Sequence, residues 1–586
     1  MATDGSAPDI MRELKKNLKE DPESVDLDVA EPFVGHSKTD VRKGATYVFK
    51  EVAKESSQRV GRYLDSLQPR LEDTNETIRN FAAYAFKEVY KDRPDLVEPH
   101  LDSLVSPLGD ADEYTRHYAT FVFKEVRTAH PERVVTYLDA LEPRLNDGNE
   151  TTRQFATVVF REVAHEDPGA VVPFLDTLES RLDDSDVQTR KYTRIVFRKV
   201  AAEHPHDVAS YLDLLESRLD DPSSETRKTA TKVFRDVSKV DPGIVVGYLD
   251  AVEERLTEDD ESTRQSAAIV FGEVVDKNRP RVGQFLDSLE QCIDDTNETT
   301  RNCVTYAFKE VSKERTALVE PHLDSLVAPL KDHNEHTRNL ATVVFKEVAK
   351  EDPETVVPFL DDLEMRLDDK NEHTRNHAAN VFKQASKVEP DRVGPFLDSL
   401  VPCLDDTNET TRNFATTAFT SVAETDPSGI EPHLDALAPR LEETADSTRQ
   451  LAAQAFASVA EANAEAVVPH TASIVPLLAN GDRRVREHAG SCIAAVAEAD
   501  PATLRDHVDH GRFPDEAVET LEAILDGNTT SNDEDAETVA DPLTTRSPDT
   551  IPSAPDVTVD FDAVDEGETI GKGGNADVVA ATVSNP

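Results

Sequence analysis

The sequence predicts an all-α solenoid, a stack of small helical units repeated along the chain. Three observations carry this prediction: a fixed internal period, an apolar helical face inside each period, and a length of 586 residues. A single compact core stops enlarging near roughly 250–300 residues, so a chain this long needs several domains or an array.

The period decides for an array. Arginine recurs at Arg42, Arg79, Arg116, Arg153, Arg190, Arg227, Arg264, Arg301, Arg338, Arg375, Arg412, Arg449 and Arg486, every interval being 37 residues over about thirteen copies without an insertion. The flanking residues repeat with it, as "TRNLATVVF" (337–345) and "TRNFATTAF" (411–419) show. Self-similarity on this scale marks stacked supersecondary units.

Within the copy that begins at Arg153, the residues Ala156, Val159, Phe160 and Val163 fall on one face of an α-helix. "EDPGA" then interrupts it: Asp167 can cap a new helix, and Pro168 stands at the first turn, where its missing N–H costs nothing. A companion helix carries Val171, Leu175, Leu178 and Leu182 and ends before "DDSD". Each copy therefore predicts two antiparallel helices, neither of which can bury its stripe without a neighbouring copy. Alanine recurs three residues after the arginine in eleven copies, which lets helices approach closely. Phenylalanine recurs seven residues after it in twelve, with Ile493 in the last copy, as a terminal unit should vary.

An acidic residue precedes most of these arginines by six positions, as Asp73, Asp110, Asp147, Asp184 and Asp295 do. There is no Trp, and neither the tetratricopeptide nor the ankyrin signature occurs. Over roughly residues 25–510 the pattern resembles HEAT and armadillo repeats, whose turn acid precedes a Thr-Arg or Val-Arg at the start of the second helix. At 37 residues the unit is shorter than the ~40–47 usual for HEAT, so the subclass stays open. The resemblance implies that each arginine pairs with the turn acid of its own or the adjacent copy. That gives a structural ladder of Asp73, Arg79, Asp110, Arg116, Asp147 and Arg153. It also implies that the arginine-bearing second helices line a concave groove.

Residues one, five, eight and twelve positions after the arginine share a helical face. The first is often an amide, including Asn80, Asn302, Asn339 and Asn376, and Tyr84 and Tyr306 are aromatics at the fifth. The eighth is basic in nine copies, among them Lys87, Lys124, Arg161, Arg198, Arg235, Lys309, Lys346 and Lys383, and Lys91 is one of the cations at the twelfth. Amides and cations at about 10 Å steps suit an extended or acidic peptide, the amides bonding its backbone and the cations meeting carboxylates.

Asp and Glu total 116 against 64 Lys and Arg, for a formal charge of −52 spread along the chain. This balance resembles salt-adapted acidic proteins and opposes nucleic acid as the ligand. No apolar run reaches the ~18 residues of a membrane span, and no signal layout opens the chain, so a soluble cytoplasmic protein without a membrane partner is expected. Cys292, Cys303, Cys403 and Cys492 form no CxxC pair, which predicts reduced thiols and no metal site. Histidines are scattered and no Ser/His/Asp grouping recurs, so the array is expected to be non-catalytic.

The organisation read from the sequence is a capping segment at 1–28, the solenoid at 29–510, a capping helix at 511–527 stopped by Gly527, an acidic flexible linker at 528–560, and a β stub at 561–586. In the stub, "GETIGKGGNADVV" resembles the glycine-rich loop of protein kinases, with Gly571, Gly573 and Val578 matching and Ala576 in place of the third glycine. The resemblance implies ATP as cofactor only where a kinase domain is complete. No lysine follows Lys572 and no HRD or DFG segment is present, so no ATP site and no cofactor are expected of these residues. The expected function is a protein-interaction scaffold. The alternatives are the regulatory or docking half of a protein kinase and a nucleic-acid-binding HEAT-like protein.

Overall fold

The computed structural model describes residues 7–509 and 513–527, together with the backbone of 566–573 and 576–581. Contacts divide the chain into two units, the first ending at Gly527 and the second beginning at Asn528.

The first unit is an all-α solenoid. Thirteen long helices begin at 37-residue intervals, from Thr39–Glu55 through Glu150–Glu166 and Glu298–Ser312 to Arg483–Ala499. Eleven of them start where a side chain replaces a missing backbone partner, the exceptions being those that follow Lys38 and Ala445. Asn149 Oδ1, for example, accepts the Thr152 N–H at 3.0 Å, and Asp112, Asp186 and Asn297 do the same in their own copies. Such a cap stabilises a helix by about 1 kcal/mol, and here it also fixes where those eleven helices begin.

Each long helix packs on the next. Alanine at the third position after the arginine, as at Ala82, Ala119 and Ala341, is fully buried and allows that approach. The phenylalanine of each copy, Phe49 to Phe456, is fully buried and meets a ring 14 residues on with centroids 5.0–5.6 Å apart. Those second rings, such as Tyr137, Phe174, Tyr211 and His322, form their own series and tie the copies together. Tyr137 Oη donates to Asp102 at 2.6 Å and Tyr248 Oη to Asp213 at 2.8 Å, each acid belonging to the preceding copy.

The companion of each long helix is not one helix, contrary to the pairing predicted from its apolar spacing. In the copy of Arg153 it divides into a 3₁₀ segment Pro168–Phe174, an α-turn Leu175–Glu179 and a second 3₁₀ segment Ser180–Asp183. Pro173, inside it, cannot donate a backbone hydrogen bond, and the chain bends at Phe174, with φ −106° and ψ 5°. The expected apolar residues Val171, Leu175, Leu178 and Leu182 are nevertheless all buried.

At the ends, helix Ala7–Glu20 lays Met11, Leu14 and Leu18 onto the first long helix, and Asp515–Leu525 buries Ala517 and Leu521 against the last copy. Gly527 follows that helix at φ +75°, a left-handed conformation that favours glycine. The four cysteines are free. Cys292 Sγ–H donates to the Leu256 carbonyl at 3.2 Å, the role Arg255 Nη1 plays toward Leu219 at 2.7 Å one copy earlier.

In the second unit, strands Glu566–Gly573 and Ala576–Ala581 pair antiparallel. The first strand runs through Gly571 to Gly573, which faces Ala576 across positions 574 and 575 of the chain. Those two positions and the linker predicted at 528–560 lie outside the described residues.

Candidate functional site: the face of the long helices

The arginine ladder links neighbouring copies. Arg153 Nε and Nη2 donate to the Asp184 carboxylate of the next copy at 2.8 and 3.0 Å, while Nη1 donates to the Asp147 carbonyl of its own turn at 2.9 Å. Ten copies make this carboxylate contact, from Arg42 with Asp73 to Arg412 with Glu443, and Arg79 with Asp110 and Arg116 with Asp147 are among them. In several copies a second arginine meets the same acid, as Arg144 meets Asp147 at 2.7 Å. Burial alone would push the Asp147 carboxyl up, but hydrogen bonds from Arg116 and the Asn149 N–H, with the charges of Arg116 and Arg144, hold it below the usual carboxylate range.

Two of the four amides expected to face a ligand reach along the stack. Asn80 Nδ2 donates to Asp112 at 2.7 Å and Asn376 Nδ2 to Thr411 Oγ1 at 3.1 Å. Asn302 and Asn339 each keep a buried side-chain oxygen without a hydrogen-bond partner.

The cations at the eighth position usually meet an acid one residue further on. Lys87 pairs with Glu88 at 2.8 Å, which Lys91 also reaches at 2.9 Å. Lys124 pairs with Glu125 at 2.5 Å, Lys346 with Glu347 at 2.7 Å and Arg235 with Asp236 at 2.5 Å. Arg161 contacts Glu162, and Lys309 contacts Glu310, which also receives Lys313 at 2.7 Å and Arg279 at 2.9 Å. Burial opposes ionisation of Glu310, yet these cations bring its pKa down to about 2.

The same cations lie over rings, and sequence reading missed most of these rings. Besides Tyr47, Tyr84 and Phe121 at the fifth position, the second position carries Phe81, Tyr118, Phe155, Tyr192 and Phe414. Tyr84 meets Tyr118 edge-on at 5.2 Å, Tyr47 meets Phe81 at 5.5 Å, and Phe121 meets Phe155 at 5.8 Å. Lys87 Nζ lies 4.6 Å from the Tyr84 centroid and 5.0 Å from that of Tyr118; Lys124 sits similarly between Phe121 and Phe155. Arg161 covers Tyr192 at 4.4 Å, Lys309 covers Tyr306 at 4.6 Å, and Lys383 covers Phe414 at 4.5 Å. Burial first, then the Glu88 carboxylate, push the Tyr84 hydroxyl up to about 12, so it stays a neutral donor. Tyr306 Oη donates to Asp276 at 2.9 Å. A half-buried row of rings with cations laid between them thus runs across the copies from Tyr47 to Tyr192.

Gly571, Gly573 and Val578 belong to the hairpin of the second unit. Among the described residues, one group of three side chains could hold a metal ion, Asp287, Glu290 and His322, and its imidazole is already hydrogen-bonded to Glu290 at 2.7 Å. No described helix is long and apolar enough to cross a membrane.

No protein-family model matches the chain, and no curated protein matches it. Among solved structures it is similar to the crystal structure of an engineered protein at 17% identity and a TM-score of 0.45, over 61% of this chain and 98% of that one.

Proposed function

We propose that the chain is a non-catalytic, HEAT-like scaffold that binds an extended protein segment along the face of its long helices. The row of half-buried rings from Tyr47 to Tyr192 carries this reading. Stacking does not require it, because the copy of Arg449 packs on both its neighbours with Leu451 and Gln454 at the corresponding positions. Long helices about 10 Å apart present one ring pair for every three residues of an extended chain, which rises ~3.3 Å per residue. Rings supply apolar area without losing much side-chain freedom, which suits a surface that captures a segment from solution.

Selection from a displayed random-peptide library tests the proposal. Peptides recovered on the intact protein should lose about tenfold in affinity for Tyr84→Ala and Phe121→Ala, with thermal unfolding shifted by only a few degrees. Unchanged affinity in both variants refutes it.

A second reading, the docking half of a protein kinase, draws on the antiparallel hairpin that holds Gly571, Gly573 and Val578. Coding sequence for VAIK, HRD and DFG segments in frame after residue 586 supports it, and coding sequence without them refutes it.

A further inference from the structure

Charge is unevenly divided among the long helices. Val187–Glu203 carries Arg190, Lys191, Arg194, Arg198 and Lys199 against the single acid Glu203. The next long helix, Ser224–Val240, carries five cations against Glu225 and Asp236. Their flanking neighbours do not share this: Glu150–Glu166 has two arginines and three glutamates, and Glu261–Val275 has one arginine and two glutamates. Two adjacent cationic helices in a chain of formal charge −52 call for a physical reason.

Stacking does not supply one. Eight copies besides that of Arg198 carry a cation at the eighth position, and only Lys383, followed by Gln384, lacks an acid at the ninth. In the other seven that acid answers the charge, as Glu88 does for Lys87 and Asp236 for Arg235. Beside Arg198, Lys199 occupies the ninth position. Among the described residues no carboxylate comes within ion-pairing distance of Arg198, Lys199 or Lys232, whereas Lys228 and Arg235 on the same helix do find Asp260 and Asp236. The cations also act on one another across copies. Burial, then Lys199, Arg161 and Arg198, lower the His165 pKa on the preceding helix; burial, then Lys228, Arg198 and Arg235, lower that of Lys232. The ladder is interrupted at the same place: Arg190 bonds only the Asp184 and Ser185 carbonyls, without the carboxylate contact that ten other copies make. Arg194, 4% exposed, stands where threonine is usual, and its Nε has no hydrogen-bond partner. Like charges this close destabilise the unliganded stack.

We infer that the face of helices Val187–Glu203 and Ser224–Val240, with Arg161 beside it, is the docking site for a run of aspartate and glutamate side chains in a partner protein. The inference rests on the long-helix face being a peptide-binding surface, and it assigns acid recognition to this stretch of it. Arg161, Arg198 and Arg235 recur at one position in three successive copies, so an extended acidic segment meets them with about every third carboxylate. Each arginine offers a fork of N–H donors that matches a carboxylate. A long polyanion would run beyond the patch into the acidic remainder of the protein, which disfavours nucleic acid.

A fluorescein-labelled nine-residue peptide of alternating Asp and Glu, titrated against the intact chain by anisotropy, tests this. Binding should weaken about tenfold in the double variant Arg198→Gln, Lys232→Gln and stay unchanged in the control Lys16→Gln, Lys19→Gln on the exposed side of helix Ala7–Glu20, and it should fall as salt rises. The thermal midpoint of the patch variant should be unchanged or higher, because repulsion is removed. Loss in a third variant, Lys87→Gln, Lys124→Gln, with none in the patch variant places the acidic segment between the rings, and so overturns the patch while leaving the long-helix reading intact. No binding to the unaltered chain, or equal binding to the patch variant and the control, overturns the patch, and the ring variants at Tyr84 and Phe121 then judge the wider reading separately. Tighter binding of a nine-nucleotide single-stranded DNA at equal salt overturns the acidic peptide as occupant. So does sedimentation that shows the patch variant turning a dimer into a monomer.

Discussion

Replacing Asp147 by asparagine should uncouple two neighbouring copies of the repeat. The Asp147 side chain is 1% exposed and accepts Arg116 Nε at 2.6 Å, Arg116 Nη2 at 3.1 Å, Arg144 Nη1 at 2.7 Å and the Asn149 N–H at 2.9 Å. Asparagine keeps the shape and one acceptor oxygen, but it turns an amide NH₂ toward two guanidiniums and removes the charge that balances them. An exposed ion pair would cost at most about 1 kcal/mol to break. A wholly buried one costs about 3–5 kcal/mol, because the remaining charge is stranded. Both arginines keep some access to water, at 16% and 14% exposure, so the loss should fall between, near 2–3 kcal/mol.

Stability in an array is close to a sum of unit and interface terms, so the loss should appear locally. Hydrogen exchange should quicken in helices Glu113–Ala129 and Glu150–Glu166 well before distant copies respond, and urea unfolding should broaden. The protein supplies its own control. Asp221 holds the corresponding place but takes no ladder arginine, and its carboxylate accepts only the Ser223 N–H at 2.8 Å. Asp221→Asn should therefore cost less than about 1 kcal/mol. Equal costs at the two positions would show that the ladder does not couple the copies.

Two further outcomes follow from the same environments. In Asp147, Asp184, Asp332 and Asp369, burial would raise the carboxyl pKa, but the ladder arginine, a backbone N–H and the arginine charges hold it below the usual value. A folded pKa below the unfolded value of about 3.9 gives stability that is present above that value and lost as pH falls through the folded one. The thermal midpoint should thus stay level from neutral pH down to about 5 and drop steeply below about 4, and a midpoint that rises on acidification refutes the assignment. Burial pushes the thiols of Cys292 and Cys303 up to about 11 and those of Cys403 and Cys492 up to about 12. A disulfide reagent at pH 8 should react slowly with the native protein and fully in denaturant, and prompt native reaction at all four would contradict their placement.

Period, helix phase and core were legible because each depends on spacing alone. Phe160 and Ala156 recur at fixed offsets and are buried in their copy, and their counterparts follow throughout. The broken companion segment was harder to see, since Leu175, Leu178 and Leu182 keep helical spacing across a 3₁₀ stretch and only Pro173 and the bend at Phe174 betray it. The signal was present, however: a ring followed by Leu-Asp recurs at Tyr137, Tyr211 and Tyr248 with the same 37-residue period. Ladder direction was not legible. Arg153 lies six residues after Asp147 and 31 before Asp184, and only the stack decides that the first offers its carbonyl and the second its carboxylate. The pairing of Lys87 with Glu88 was also hidden, because residues one apart on a helix do not normally face each other.

A repeat protein separates structure from function in an unusual way. Whatever holds the stack together must be restated in every copy, so the arginine, the capping residue and the phenylalanine recur almost without exception. A ligand touches only some copies, so the positions that serve it are free to depart from the pattern. Lys199 in place of an acid, Arg194 in place of threonine and the missing contact between Arg190 and Asp221 are three departures within one copy. Each weakens the stack by like-charge repulsion or by a lost interface bond, and each adds positive charge or frees it on one face. Chance substitution would scatter such changes over thirteen copies. Their concentration in one copy, with five cations on the helix that follows, is the observation on which the proposed site for an acidic segment rests.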